Sequence, residues 1–351
     1  MALLFIDGFD HYDPQTLDPL GAPWLARGKA AYLSPQATRI PGRRPSSYAL
    51  RLPAGASGGY VKNLEAGRSS LIVGAALRVA PFTNTGEEPV LLGVRDTSTQ
   101  VAYLVRISED GRLKLYRQQF GYDSLVSTSV TTAPARGWHY VELQVVQGTS
   151  NGTLNVRVNG VLAITLSGQN TTQDGGPLLT AFVGAVPGRH CPATVDVDDL
   201  YLADTSGTIN NTFLGDVRID ALRPQAGGSL SQWMVEGAAS AWAAVSDGDE
   251  ATAIRAATAG LRQSFDVEAL PVMSSPAIHG VQVTLLARKT DAGTGRVRAL
   301  VASGAQTAVS ADINLQEQLA WHTALIERNP NGNIQWTEAA FNAAEFGVES
   351  A

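Results

Sequence analysis

The sequence predicts an all-β chain of two antiparallel domains: a larger sandwich over residues 1–205, then a smaller sandwich over 206–351 that carries a short C-terminal helix. Three observations predict it. A chain of 351 residues is longer than a single core usually supports. From Ser69 to Asp204, short runs of alternating or β-branched apolar residues recur about every ten positions, each closed by Gly, Pro, Asn or Asp. The composition holds 35 Gly and 17 Pro against 17% charged residues, which suits turns rather than long charged helices.

The strands follow in order. Leu71–Val79, Val90–Val94, Val101–Ile107, Leu113–Arg117 and Leu125–Val130 come first, then His139–Val146, Leu154–Val158, Val161–Leu166, Leu178–Val183 and Val195–Leu202. Turns such as Glu109-Asp110-Gly111 and Asn159-Gly160 join them, and the intervals leave no room for the helices of a parallel α/β fold. Trp138 to Leu166 reads as a three-strand meander whose Asn151-Gly152 and Asn159-Gly160 pairs supply the positive φ of tight hairpins. In the closing strand a strict period of two puts Val197, Asp199 and Tyr201 on one face and Asp198, Leu200 and Leu202 on the other.

The Trp138-led strand, the strand ending at Asn159-Gly160 and the late Asp198-Asp199-Leu200-Tyr201 run resemble the laminin-G-like and concanavalin A-like jelly rolls. That resemblance implies that Leu4-Phe5-Ile6-Asp7-Gly8-Phe9-Asp10 is a first strand pairing beside the last.

After Thr205-Ser206-Gly207 the pattern restarts, with strands expected at Phe213–Leu222, Leu261–Val267, Gly280–Lys289, Arg296–Ala302 and Trp321–Glu327. Residues 228–260, rich in Ala, Ser and Asp, read as loop. Thr337 is placed to cap a helix over Glu338–Ala343, and Gly347 to release the chain.

Catalytic patterns are sparse. A retaining glucanase of the jelly-roll type needs Glu-x-Asp-x-x-Glu on one strand, and the chain lacks it. The nearest group is Asp196, Asp198 and Asp199, which reads first as caps for loop amides, next as a calcium site, and last as catalytic. His11, His139, His190, His279 and His322 stand singly, outside the spacings of a zinc site. No nucleophile elbow, Walker loop or dinucleotide fingerprint occurs, and Gly55-Ala56-Ser57-Gly58-Gly59 precedes a strand as a turn. Cys191 is the sole cysteine, so it reads as a small buried hydrophobe. No cofactor is expected, and the chain is read as not an enzyme. Sugar rings stack on exposed aromatics, for which Trp24, Tyr32, Tyr60, Tyr116, Tyr122, Trp233 and Trp242 are candidates.

Charge excludes other classes. A net charge of -6 opposes a nucleic-acid partner, which would need positive charge to displace counterions. No apolar run reaches the roughly 18 residues of a membrane span, and Asp7 interrupts the opening too early for a signal peptide. Between Asp18 and Glu65 lie seven of the 26 basic residues and none of the 32 acidic ones. That stretch reads either as a Pro-rich solvated excursion or as a docking patch for an acidic neighbour, with Arg39, Arg43, Arg44 and Arg51 the partner-binding candidates.

A second resemblance runs through the chain. The opening Met1–Tyr12 (MALLFIDGFDHY) resembles the start of tailed-bacteriophage structural proteins. So does the order Phe213–Ile219, Leu222-Arg223-Pro224, Gln232-Trp233, Trp242–Asp247, Gly280–Val283, Ala287–Gly293 and Trp336–Glu349, although the acidic run at Asp247–Glu250 is shorter than in those relatives. The resemblance implies a non-enzymatic virion component, in a tail fibre, tail tip or head surface, made in the host cytoplasm. Its implied partners are other virion proteins and further copies of itself. The alternative is a carbohydrate-binding module for a host-surface glycan; a glycoside hydrolase ranks third.

Overall fold

The computed structural model describes residues 2–10, 30–83, 86–98, 101–172, 175–246, 251–274 and 276–351. The chain divides into two compact units, residues 1–219 and 220–351.

In the first unit the strands are β1 (Leu3–Asp7), β2 (Tyr32–Leu33), β3 (Thr38–Pro41), β4 (Tyr48–Leu52) and β5 (Tyr60–Arg68). They continue as β6 (Ser70–Val79), β7 (Val90–Asp96), β8 (Val101–Ile107), β9 (Arg112–Gln119) and β10 (Tyr122–Thr132). The last five are β11 (His139–Val146), β12 (Gly152–Val158), β13 (Val161–Gln169), β14 (Leu178–Val183) and β15 (Val195–Ala203). One sheet has the order β13-β12-β11-β6-β15-β4-β3, with β1 along β15; the other has β10-β9-β8-β7-β14-β5-β2. All ten strand segments expected between Leu71 and Leu202 are strands. The opening strand pairs antiparallel with the closing one, Phe5 against Leu202 and Ile6 against Tyr201. This is the jelly-roll sandwich.

Alternation explains the core. Val141, Leu143 and Val145 of β11 and Val73, Ala75 and Leu77 of β6 face inward, where they meet Leu92, Val94, Tyr103, Val105 and Leu115 of the second sheet. Each fully buried aliphatic side chain there stabilises the fold by about 1.5–3 kcal/mol.

Three sequence expectations need correction. In its described part, residues 30–64, the basic stretch is not a solvated excursion, because β3 and β4 extend the first sheet beside β15 and β5 pairs with β14 in the second. Asn151-Gly152 is not a positive-φ turn; Gly152 starts β12, where a Cβ would come within 2.2 Å of Thr171 Oγ1. Asn159 and Gly160 do adopt the expected positive φ, at 50° and 78°. Lastly, β15 breaks its period. Its register on β6 shifts between Asp198 and Tyr201, and Asp199 sits at φ 48°. The extra residue of a bulge puts Val197, Leu200 and Leu202 on the core side.

The expected strand at Phe213–Leu222 is instead irregular backbone, and through Ile219 it belongs to the first unit. The segment 205–219 lies as a strap on the outer face of the first sheet. The unit boundary therefore falls at 219/220 rather than 205/206.

The second unit contains β16 (Pro224–Ser231), β17 (Met234–Glu236), α1 (Ala241–Ser246), β18 (Ala253–Arg255), β19 (Arg262–Val267) and β20 (Val281–Ala287). After these come β21 (Arg296–Ser303), β22 (Gln306–Val309), β23 (Ile313–Asn314), β24 (Ala320–Ile326), α2 (Glu338–Asn342) and β25 (Glu345–Ser350). Its main sheet has the order β16-β19-β25-β21-β22 with β23 beside β21, and β17-β18 and β20-β24 form two ribbons. Residues 228–260, expected as loop, thus hold strands and a helix. Thr337 caps α2 as expected, its Oγ1 accepting from Ala340 N at 3.1 Å. Trp336, Phe341 and Phe346 pack together with Val301 and Ala344 as the core of this unit.

Candidate functional site

The two outer faces of the first sandwich differ in kind. On the first sheet, Tyr140, Glu142 and Tyr201 point away from the core. Tyr140 and Tyr201 stack at 6.4 Å between centroids, and Gly74 leaves room for Tyr201, since a Cβ there would lie 2.2 Å from the ring. Glu142 is fully buried; its Oε1 accepts from Tyr201 OH at 2.5 Å and from Gly215 N at 2.9 Å. Burial raises the Glu142 carboxyl above its usual range.

The strap seals this face. Leu214 N donates to Tyr201 OH at 3.1 Å and Ile219 N to Asp199 Oδ1 at 2.7 Å, while the Arg157 guanidinium lies 4.5 Å over the Phe213 ring. Arg43 donates to Asp199 Oδ2 at 2.6 Å, pairs with Asp216 and donates to Val217 O; Arg44 reaches the same Asp199 oxygen at 2.7 Å.

The bulge decides which acids meet which bases. Asp196 lies on one side of it, taking Arg51 through both oxygens at 2.7 and 3.0 Å and Arg78 at 2.7 Å. Asp198 accepts from the backbone N–H of Arg43 at 3.1 Å and of Asp199 at 2.8 Å. Burial, reinforced by the neighbouring Asp199 charge, raises the Asp198 carboxyl to about 7. The three candidate calcium ligands therefore turn to separate donors of their own domain, and among the described residues no group of three or more His, Cys, Asp or Glu converges.

The same pairs account for the basic candidates. Arg43, Arg44 and Arg51 spend their charge on Asp199, Asp216 and Asp196, and Arg39 lies 3.6 Å over the Tyr48 ring. The expected basic docking patch is in the structure an internal seam between the β3–β4 turn, β15 and the strap. Arg27 and Lys29 lie outside the described residues. So do Trp24, His11 and Asp247–Glu250.

The second sheet presents the other face. One row across it, from strand to strand, is Asn63, Thr180, Arg95, Ala102, Gln118 and Asp123. The next row is Val61, Phe182, Gly93, Leu104, Tyr116 and Leu125. Val61, Ala102, Leu104 and Phe182 form an apolar floor separate from the inter-sheet core, with Tyr116 packed against it. Gly93 lets Phe182 lie across β7, since a Cβ would meet the ring at 2.4 Å. Polar groups stand around the floor: Thr180 Oγ1 donates to Asn63 Oδ1 at 2.8 Å, and Gln118 Nε2 to Asp123 Oδ1 at 2.7 Å. Arg106 pairs with Asp123 at 2.5 Å and with Glu87, and Lys114 pairs with Glu88 at 2.5 Å, where Tyr116 OH also donates. Tyr122, at 79% exposure, stands at the rim.

The remaining candidates are dispersed. Tyr60 is buried against Phe9, and Tyr32 donates to Ser57 O at 2.8 Å. Trp233 donates to Leu261 O at 3.0 Å, and Trp242 is exposed on α1. His139 bonds Pro134 O and His190 bonds Gly55 O; burial lowers the pKa of His279 and His322. Burial pushes the Cys191 thiol up to about 11, against nucleophilic use. Sequence reasoning singled out Tyr116 and Tyr122 but missed Arg95, Gln118 and Asn63. Their only signal was their outward phase on strands whose inward residues are apolar.

No protein-family model matches the chain, and no curated protein matches it. Solved structures that are similar to it include the carbohydrate-binding module CBM66 from Bacillus subtilis, at 11% identity and TM-score 0.31, covering 50% of this chain and 99% of that one. Domain 4 of AbnA, a GH43 extracellular arabinanase from Geobacillus stearothermophilus, in complex with arabinotriose, is similar at 15% identity and TM-score 0.35, covering 58% and 92%. The alginate lyase Aly36B is similar at 16% identity and TM-score 0.34, covering 51% and 84%.

Proposed function

We propose that this chain is a non-catalytic recognition protein whose first domain binds a glycan on the outer face of its second sheet. The observation that supports this reading is the contrast between the two outer faces. The strap closes one, while on the other the half-buried Tyr116 and the exposed Asn63 and Tyr122 lie beside a buried apolar floor and among amide, hydroxyl and charged side chains, the mixture that sugar rings and hydroxyls require. Asp196, Asp198 and Asp199 already accept hydrogen bonds within their own domain, which fits a structural rather than a catalytic role. The test is a glycan array probed with the full-length chain and with Gln118→Ala and Tyr116→Ala variants that melt like the parent. Loss of signal in the variants supports the reading; absence of glycan binding by the parent refutes it.

A second reading, compatible with the first, is that the chain is a component of a tailed-phage virion, assembled with other virion proteins and with copies of itself. Its support is the order of segments resembling such proteins. The Asp7-Gly8-Phe9 turn that opens the series also has a structural use: Gly8 abuts the strap, where a Cβ would lie 2.4 Å from Ile219 O, and Phe9 packs edge-on against Tyr60. Mass spectrometry of purified particles tests it, and absence of the chain from particles made by a phage that encodes it refutes it.

A further inference from the structure

Three cationic side chains on the outer face of the second sheet differ in one respect. Arg106 and Lys114 each have carboxylate partners. Arg95, on β7 between Thr180 and Ala102, makes no side-chain hydrogen bond or ion pair among the described residues, and its Nε is buried without a partner. The adjacent Asp96 does not serve it, because it points to the opposite side, where it accepts from Val101 N at 3.2 Å and Gly176 N at 2.9 Å. Burial lowers the Arg95 pKa, with the Asp96 charge opposing. Among the described residues this half-buried guanidinium has no ion pair, and although its Nε–H is buried, the N–H groups of its two terminal nitrogens remain unpaired donors for a ligand.

The neighbours define what that ligand is. In the same row Thr180 lies next to Arg95 with the exposed Asn63 one strand beyond it, while the buried Gln118 lies two strands away on the other side; these are amide and hydroxyl groups of the kind that pair with sugar hydroxyls. Phe182, Leu104 and Tyr116 form the apolar ground beside them. We infer that Arg95 is the anchor of a subsite for an acidic sugar, its guanidinium engaging the carboxylate of a uronic acid unit while the exposed Asn63, two strands away, contacts a hydroxyl of a neighbouring unit. The inference rests on the glycan-binding reading above and narrows it to carboxylated glycans. A guanidinium fork matches a carboxylate in two parallel hydrogen bonds, and such charge-assisted pairs are about twice as strong as neutral ones.

The test is calorimetric titration of the full-length chain with trigalacturonate and with its neutral counterpart galactotriose, at low and physiological salt. The acidic trisaccharide is expected to bind about tenfold or more tightly than the neutral one, and the advantage should shrink as salt rises. Arg95→Gln should abolish the preference with the thermal melt unchanged, and Arg95→Lys, a point charge without the fork, should keep part of it. Equal binding of the two trisaccharides, or undiminished trigalacturonate binding by Arg95→Gln, overturns the acidic-sugar subsite and leaves the glycan reading standing. If neither trisaccharide binds and the glycan array is also blank, both fall together.

Discussion

Replacing Arg43 by Ala tests whether the basic stretch is internal structure. Its side chain is only 10% exposed and that of Asp199 is 1% exposed. Burial alone would lower the Arg43 pKa, but the charges of Asp199 and Asp216 outweigh it and raise it. Removing one member of a buried pair costs about 3–5 kcal/mol, because the other is left desolvated and unpaired. Here Asp199 would keep Arg44 at 2.7 Å and Ile219 N at 2.7 Å, so the loss reduces to about 2–3 kcal/mol. For a domain of this size each kcal/mol moves the melting temperature by about 2–4 °C. Scanning calorimetry of the full chain should therefore show one transition lowered by about 4–12 °C, with Arg43→Lys falling between. Exchanging both Arg43 and Arg44 for Glu should lower that transition further, since two carboxylates would then face Asp199. A free docking patch would tolerate these exchanges, and an Arg43→Ala melt within about 1 °C of the parent would refute the internal-seam argument.

Other consequences are open to direct measurement. Asp198 has a folded pKa raised to about 7 from an ordinary 3.8, so the folded state holds the proton more tightly. Its contribution is full below the unfolded pKa and is lost as pH rises through 7, so the first domain should melt higher at pH 5 than at pH 8, and Asp198→Asn should flatten the difference. Gly74→Val should cost about 1–3 kcal/mol or more by forcing Tyr201 off its site, read as a lowered midpoint in urea. Limited proteolysis should cut near Ala221, leaving residues 205–219 on the first-domain fragment; a cut at 205–211 that releases the strap would count against its place on the sheet. Thr337→Ala should remove about 1 kcal/mol from the second domain by uncapping α2.

What the sequence by itself determined is local. Inward residues of β6, β8, β11 and β12 alternate with outward ones, so strand identity and the all-β class follow from a period of two. The Asn159-Gly160 turn and the Thr337 cap are likewise written in neighbouring residues, because backbone φ and the first helical N–H groups depend on side chains at hand. What only the tertiary structure decided involves partners far apart in the chain. The acidic residues that neutralise Arg43, Arg44 and Arg51 stand about 150 positions away, so a run of unopposed positive charge in sequence became an ion-pair seam in space. The bulge at Asp199 reversed the expected faces of β15, since one extra residue shifts every later side chain across the sheet. The segment 205–219 joins a small polar stretch to one expected as a strand, and the N–H groups of Leu214, Gly215 and Ile219 find acceptors only where the fold brings Tyr201, Glu142 and Asp199 beneath them. Arg95 is conspicuous for the opposite reason: among basic residues alike in sequence, folding left it half-buried without an ion-pair partner among the described residues.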